Sequence, residues 1–508
     1  MLLRIKTSFF LLAALLLIVS AGCKKGTFDI NSPNPNQPSS VSPQFILSAA
    51  LGITANSSFN AGYPDFANRY MGYWAFSGDF GGYGTEATYN ITSAYASNNW
   101  DVVYSSALVN YRFIATNSTK DPKQVNYLAI AKIMQSFHFQ RLVDSYNNVP
   151  YSDALNGGVQ NYPKFDDAKA VYTSIIKQLD SAIQLIKAAP GNADNPAKYD
   201  AMFGGTMTKW VKFANTLKLK ILLNLTQTAD GPALAKAELA GLSDGDFLVA
   251  GEDAAINPGY SNSSTAQQNP LWQNIGYATN GSPTSGNAFN RANSYAVNFY
   301  LNTNDPRAKR FYDTTAAGLI KGRVYGSTDG SEHNTNVSGM GKGVLQAASQ
   351  SAIILPAFES LFFQAEAQVR GYLTGTNSAP DVLYKAAVKE SFRLLWANVA
   401  SFDYGAAAAA YVSQADARVS WTAAPDKIAL IITQEWAALN MYDPYTSWNN
   451  WRRLGIPNDL PISVYPGTTA NHIPIRLLYT TNEYSYNAAN TNAQGTISPI
   501  TSKIFWMP

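Results

Sequence analysis

A single cysteine, Cys23, stands in 508 residues, and nothing after it can form a disulfide, act as a thiolate nucleophile or ligate a metal through sulfur. Histidine is nearly as scarce. His138, His333 and His472 lie far apart, with no HExxH and no pair at metal spacing. Charged residues make up 14% of the chain, against about a quarter in an average domain, and the net charge is +3. No Lys/Arg block beyond the leader exceeds a dipeptide, so the concentrated cationic face that nucleic acid requires for counterion release is missing. No GxSxG elbow or P-loop occurs. "GGYGTEA" (81–87) is glycine-rich but lacks the Lys–Ser/Thr of a phosphate cradle, and it reads as loop. Nucleic-acid binding and cysteine, serine-elbow, P-loop or histidine–metal chemistry are therefore disfavoured, and no cofactor is expected. Stability must come from burial, for which the chain is long enough.

The one apolar run of note is at the start. Arg4 and Lys6 precede "SFFLLAALLLIV", about a dozen apolar residues, and Ser20, Ala21 and Gly22 lead to Cys23. The run is too short to span a bilayer and has the layout of a secretory signal peptide. Cleavage between Gly22 and Cys23 would place cysteine first, where bacterial lipoproteins are acylated; the lipobox departs from pattern at Ser20, where Leu, Val or Ile is usual. A plain signal peptide with a passenger cysteine is the alternative. Residues 24–40, "KKGTFDINSPNPNQPSS", read as an extended linker. The expected organisation is a leader over 1–22, an acylated cysteine and linker over 23–42, and one domain over 43–508.

The body is helical in pattern. "FDDAKAVYTSIIKQLDSAIQLIKAAPG" places Ile175, Ile176, Leu179, Ala182, Ile183 and Ile186 at 3–4 spacing, with Asp166 expected to cap its start. "TKWVKFANTLKLKILLNL" repeats the logic with Trp210, Phe213, Ala214, Leu217 and Ile221, and "NYLAIAKIMQSFHFQRLVDSY" is apolar nearly all round, with His138 read as a core residue. Helical patterns resume at 356–373, 379–399 and 426–441. Residues 245–350 and the last forty read as irregular. Consecutive helices suggest stacked hairpins of a degenerate tetratricopeptide-like array, although no 34-residue period is evident. Loops this extensive argue for a second, functional layer.

Several segments together resemble the SusD/RagB family of Bacteroidota outer-membrane lipoproteins, in its SusD-like branch. They are "FDINSPNPN" (28–36), "DSYNNVPYSDAL" (144–155), "KWVKFANTLKLKILL" (209–223), "NDPR" (304–307), "ESLFFQAEAQVRG" (359–371), "ITQEWAALNMYDPYTSWNNWRRLGIP" (432–457) and "IPIRLLYTTNEYSYN" (473–487), where Thr480 replaces a usual proline. The resemblance implies an all-α fold, a right-handed superhelix of tetratricopeptide-like pairs with an elaborated loop layer. It also implies a surface lipoprotein that captures a nutrient and acts as a lid on a SusC-like TonB-dependent barrel. The ligand would be an oligosaccharide, or a peptide in RagB-like members.

A glycosidase would need two convergent carboxylates; Glu359 with Glu366, or Glu435 with Asp443, are the available pairs, and no catalytic role is expected of them. Trp448, Trp451, Arg452 and Arg453 in "SWNNWRR", Trp210, and Asp305 with Arg307 are read as fold-holding. Aromatic residues reach 13%, with 30 Tyr and 10 Trp. Sugar rings stack their C–H faces on aromatic side chains while their hydroxyls seek amides, carboxylates or guanidinium groups. Two loop stretches carry that mixture. One runs over 70–100, with Trp74, Asp79, Tyr83, Tyr89, Asn98 and Trp100; the other over 269–295, with Trp272, Tyr277, Asn290 and Arg291. These ten are the candidate ligand contacts, though any of them could instead pin a loop to the helical body.

Overall fold

The periodic segments form helices close to where their patterns predict them, and the fold is mainly helical. The computed structural model describes residues 41–59, 65–375, 378–468 and 470–508, so the leader, Cys23 and nearly all of the 23–42 linker lie outside them. Pro43–Pro508 form one unit. Its first series of helices is α1 (Pro43–Phe59), α2 (Val109–Ser118), α3 (Val125–Tyr146), α4 (Ala168–Lys187) and α5 (Met207–Asn224), each packed on the next. A loop-rich stretch with one longer helix, α6 (Ser294–Asn302), follows. The second series is α7 (Ala357–Val369), α8 (Pro380–Leu395), α9 (Tyr404–Val412), α10 (Lys427–Leu439) and α11 (Pro444–Leu454). α7 and α11 both pack against α5, which joins the two series.

α4 shows how sequence makes these elements. Val171, Ile175, Ile176, Leu179, Ala182 and Ile183 are buried along one face, and lysines and glutamines occupy the other. Its cap is Asp167, whose carboxylate accepts from Ala170 N at 3.0 Å, and not Asp166 as expected. The cap side chain must reach the amide three residues on, and with the helix starting at Ala168 only Asp167 has that spacing. Asp166 instead accepts from the amides of Tyr151 (2.8 Å) and Ser152 (2.9 Å), closing the turn that follows α3.

Buried polar networks tie the helices together. Asp144 of α3, fully enclosed, accepts from Asn449 (2.7 Å), Trp506 (2.9 Å) and Asn224 (3.2 Å), and from the Tyr172 hydroxyl. Burial pushes its carboxyl up from the usual range, and the donors oppose that shift. Lys220 of α5 bridges Glu359 of α7 (2.9 Å) and Asp443 at the start of α11 (3.0 Å). Arg453 of α11 clamps Glu366 of α7, with Nη2 at 2.9 Å from Oε2. His138 is buried with its Nε2 3.0 Å from Thr54 Oγ1, and burial brings it down to about 3, a neutral core residue as expected.

Residues 245–350 are less irregular than their composition suggests. α6 lies inside them, with Ala296, Val297 and Tyr300 facing the core; its nine residues are too few to announce a period in a polar context. Four short strands form two antiparallel ribbons: β1 (Trp74–Phe76) pairs with β3 (Asn290–Ala292), and β2 (Ala254–Ile256) with β4 (Ala352–Leu355).

Candidate functional site

The β1–β3 ribbon brings the two aromatic loop stretches together. Trp74 sits opposite Ala292, Ala75 opposite Arg291 and Phe76 opposite Asn290, so residues 70–100 and 269–295 share one backbone ladder. From this ribbon the ring of Phe76 stacks on Tyr83 (4.2 Å between centroids, 14° between planes) and leans on Phe289 at 5.1 Å. Phe80 meets Phe289 edge-on at 5.6 Å, and Tyr465 meets Tyr83 at 5.6 Å. Phe76 is buried, whereas Phe80, Tyr83, Phe289 and Tyr465 are half-buried. The result is a patch of partly exposed rings mounted on a buried one.

A charged underlayer holds the patch rigid. The Arg69 guanidinium lies 4.7 Å from the Phe76 ring centroid, pairs with Glu86 (Nη2–Oε2 2.9 Å) and donates to Asn290 Oδ1 at 3.1 Å. Tyr95 donates to the same Glu86 at 2.6 Å. Alongside, Arg323 donates to the carbonyls of Phe76 (2.9 Å), Ser327 (2.7 Å) and Asp329 (2.9 Å), tying the 327–336 loop to β1. Gly78 is required at this seam, because a Cβ there would lie 2.4 Å from the Glu332 carbonyl oxygen. Asp79 completes the clamp: one carboxylate oxygen is 2.6 Å from His333 Nδ1 and the other accepts from Asn334 N at 2.7 Å. Those contacts, the Asn334 amide first, hold its carboxyl below the usual range.

The ten predicted ligand residues divide sharply. Trp74 is buried, with its Nε1 donating to Asn440 Oδ1 at 2.8 Å. Tyr89 is buried and its hydroxyl accepts from Ser463 N at 2.9 Å. Trp100 is buried among Tyr104, Tyr146, Phe165 and Tyr479, and donates to Glu483 at 3.0 Å. Asn290 and Arg291 are buried too, Arg291 donating to the Asn287 and Asn290 carbonyls, with burial bringing it down to about 10. These five are buried and hold loops onto the body. Large aromatic side chains bring large burial, so density of Trp and Tyr marks core as readily as surface. Five have exposed or half-exposed side chains: Asp79, Tyr83, Asn98, Trp272 and Tyr277. Asp79 and Tyr83 belong to the aromatic patch. Trp272 and Tyr277 form their own pair at 5.5 Å, and Asn98 starts the short helix that carries Trp100, among a different set of neighbours.

Sequence reasoning missed Phe80 and Phe289, which lie inside the quoted stretches, and Tyr465, His333 and Asn334, which do not. Only the fold brings those last three in, and no local pattern announces them. The four carboxylates considered for glycoside hydrolysis are enclosed: Glu359, Glu366, Glu435 and Asp443 are each at most 3% exposed. Among the described residues no group of three or more His, Cys, Asp or Glu could hold a metal ion, and no helix is long and apolar enough to cross a membrane. A hollow of about 760 Å³ lies between α8 and α9, with Ala386, Ala408, Ala409, Val412 and Trp421 on its apolar side and Lys385, Lys389, Gln414 and Thr422 among its polar groups.

A family model for SusD-like proteins, described as starch-binding associating with outer membrane, matches residues 35–480. No curated protein matches the sequence. Among solved structures, a chitin-binding protein is similar at 23% identity and TM-score 0.75, over 92% of this chain and 100% of its own. A chitin-binding SusD homologue from Flavobacterium johnsoniae is similar at 21% identity and TM-score 0.71, over 90% and 100%. A SusD/RagB family protein from Bacteroides thetaiotaomicron is similar at 20% identity and TM-score 0.73, over 92% and 99%. At these identities the likeness is one of fold.

Proposed function

The chain belongs to the SusD-like family, and from that premise we propose that it captures an oligosaccharide at the outer membrane and passes it on as the lid of a SusC-like TonB-dependent barrel. The observation that carries the reading is the aromatic patch of Phe80, Tyr83, Phe289 and Tyr465, mounted on Phe76 and fringed by Asp79, His333 and Asn334. Flat rings take the C–H face of a pyranose, and the flanking carboxylate, imidazole and amide can address its hydroxyls. Several half-buried rings side by side suit an extended polymer chain better than a small free sugar.

The protein acts without catalysis on this reading, because Glu359, Glu366 and Asp443 are spent on buried ion pairs and Glu435 is enclosed against the Asn450 amide. Acylation of Cys23 holds the protein at the membrane, and the 24–40 linker gives reach. Two or more acyl chains make such an anchor stable, each buried methylene contributing about 0.8 kcal/mol. Tethering beside a transporter raises the effective ligand concentration, so modest affinity suffices. The description of the family as starch-binding and the chitin-binding relatives favour glycan over peptide. An array of α-glucans, chitin oligosaccharides and peptides, probed with residues 24–508, tests the reading. Glycan signal alone is expected, and peptide signal alone would replace the reading with a peptide-capturing lid.

A further inference from the structure

Lined by none of the patch residues, a cleft of about 590 Å³ opens between α6, α10 and the segment that follows α11. Its volume falls within the range of about 300–1,000 Å³ typical of small-ligand sites. Two half-buried aromatic rings, Tyr295 and Phe299, come from α6, four residues apart and therefore on one face of the helix. Both are fixed from behind by the buried Trp436, which meets them edge-on at 5.5 Å and 5.0 Å. Gly72 fixes Tyr295 further: a Cβ there would lie 2.6 Å from the tyrosine ring, so only glycine lets the ring lie against this turn. On the other wall, α11 ends at Gly455 in the left-handed conformation (φ 67°), turning the chain so that Asp459 accepts from the Tyr295 hydroxyl at 2.5 Å.

Besides Ala429, Leu454, Ile456 and Pro457, the rest of the cleft carries polar side chains that are largely uncommitted. Asp459 uses one carboxylate oxygen on Tyr295, and Asp426 uses one on the Ala429 amide as the cap of α10; the second oxygen of each has no partner among the described residues. Arg418 is held through Nε and Nη2 by Asp416, at 3.0 Å and 2.5 Å, which leaves its Nη1 without a partner among the described residues. The exposed side-chain amides of Asn298 and Asn458 likewise have no hydrogen-bond partner among the described residues. Rigid aromatic rings, two half-used carboxylates, a guanidinium edge and two amides form the inventory that a neutral, hydroxyl-rich ring satisfies. An apolar ligand would leave these groups unpaired, at a desolvation cost for each.

We propose that this cleft is a second sugar-binding site, taking one or a few pyranose units against Tyr295 and Phe299 with hydroxyls on Asp426, Asp459, Arg418 and Asn298. The proposal rests on the glycan-capture reading above. A second, independent site on the same body would hold another stretch of the same polymer and raise avidity without tight binding at either place.

The test uses calorimetric titration of the protein with maltoheptaose and with chitohexaose. Four forms are compared: the unaltered protein, a patch variant (Tyr83→Ala with Phe289→Ala), and the patch variant carrying either Arg418→Ala or Asn298→Trp. Both cleft substitutions fall on exposed side chains, and Asn298→Trp fills the cleft without touching the core. Thermal unfolding confirms that each variant is folded. The expected result is residual binding in the patch variant, weakened at least fivefold by Arg418→Ala and abolished by Asn298→Trp. Residual binding indifferent to both cleft changes would overturn the second site, as would binding wholly lost in the patch variant, and in that second case the capture reading stands. No binding of either sugar by the unaltered protein would overturn both.

Discussion

Single residues hold the fold chiefly through buried ion pairs, and the surface patch through its own polar clamps. The side chains of Glu366 and Arg453 are each 1% exposed, and Arg370 also donates to Glu366 at 2.7 Å. Removing one partner strands a buried charge, so Glu366→Ala should lower stability by about 3–5 kcal/mol in urea unfolding, far beyond an ordinary surface substitution. A loss under 1 kcal/mol would mean that Arg453 finds water or another acceptor. Asp79 lies on the surface patch, where its carboxylate clamps the 327–336 loop. Its carboxyl is held low by the Asn334 amide and His333, so the clamp is fully present above about pH 4, the unperturbed carboxylate range, and is lost as pH falls through the lower folded value. Amide protection at Asn334 should therefore drop on acidification below about pH 4, and Asp79→Asn should show reduced protection already at neutral pH. Protection unchanged by either would show that the loop is held without the carboxylate.

At the scale of elements, the β1–β3 ribbon is what turns two separate loops into one surface. Its seam depends on Gly78, because any side chain there meets the Glu332 carbonyl. Gly78→Ala should push the 327–336 loop away, seen as faster hydrogen exchange in peptides spanning it with the α3–α4 helices unaffected. The long helices were legible in sequence because burying a face imposes a 3–4 period on Ile175, Leu179, Ala182 and Ile183 in α4 and on Trp210, Phe213 and Leu217 in α5. α6 and α9 were not. The first is short and polar-flanked, and "YGAAAAAYV" has no hydrophobic contrast from which to read a face. The candidate surface was half legible. Both contributing stretches could be named from their aromatic and amide density, but not which rings face inward. Trp74 and Trp100 find amide or carboxylate partners in Asn440 and Glu483, hundreds of residues away, and no local pattern encodes such pairing. Tyr465 and His333 enter the surface for the same reason, through the fold alone.

At the scale of the whole molecule, a proposed acylated Cys23 and the 24–40 spacer precede a helical body that carries the proposed binding face. Cys23→Ser should release the protein from the outer-membrane fraction on cell fractionation, and detergent extracts of the unaltered strain should yield it with a large β-barrel partner. Membrane association unchanged in the variant would remove acylation at Cys23 from the account. The central claim, however, is that the rings around Tyr83 hold a glycan. Calorimetric titration of maltoheptaose and chitohexaose into the unaltered protein and into Tyr83→Ala tests it most directly, with thermal unfolding as the control for folding. Loss of one stacking ring is worth about 0.5–1.5 kcal/mol beyond its buried area, so affinity for the bound sugar should fall about tenfold while the unfolding temperature stays within about two degrees. Equal affinity in both proteins, or no binding of either sugar by the unaltered one, would contradict it.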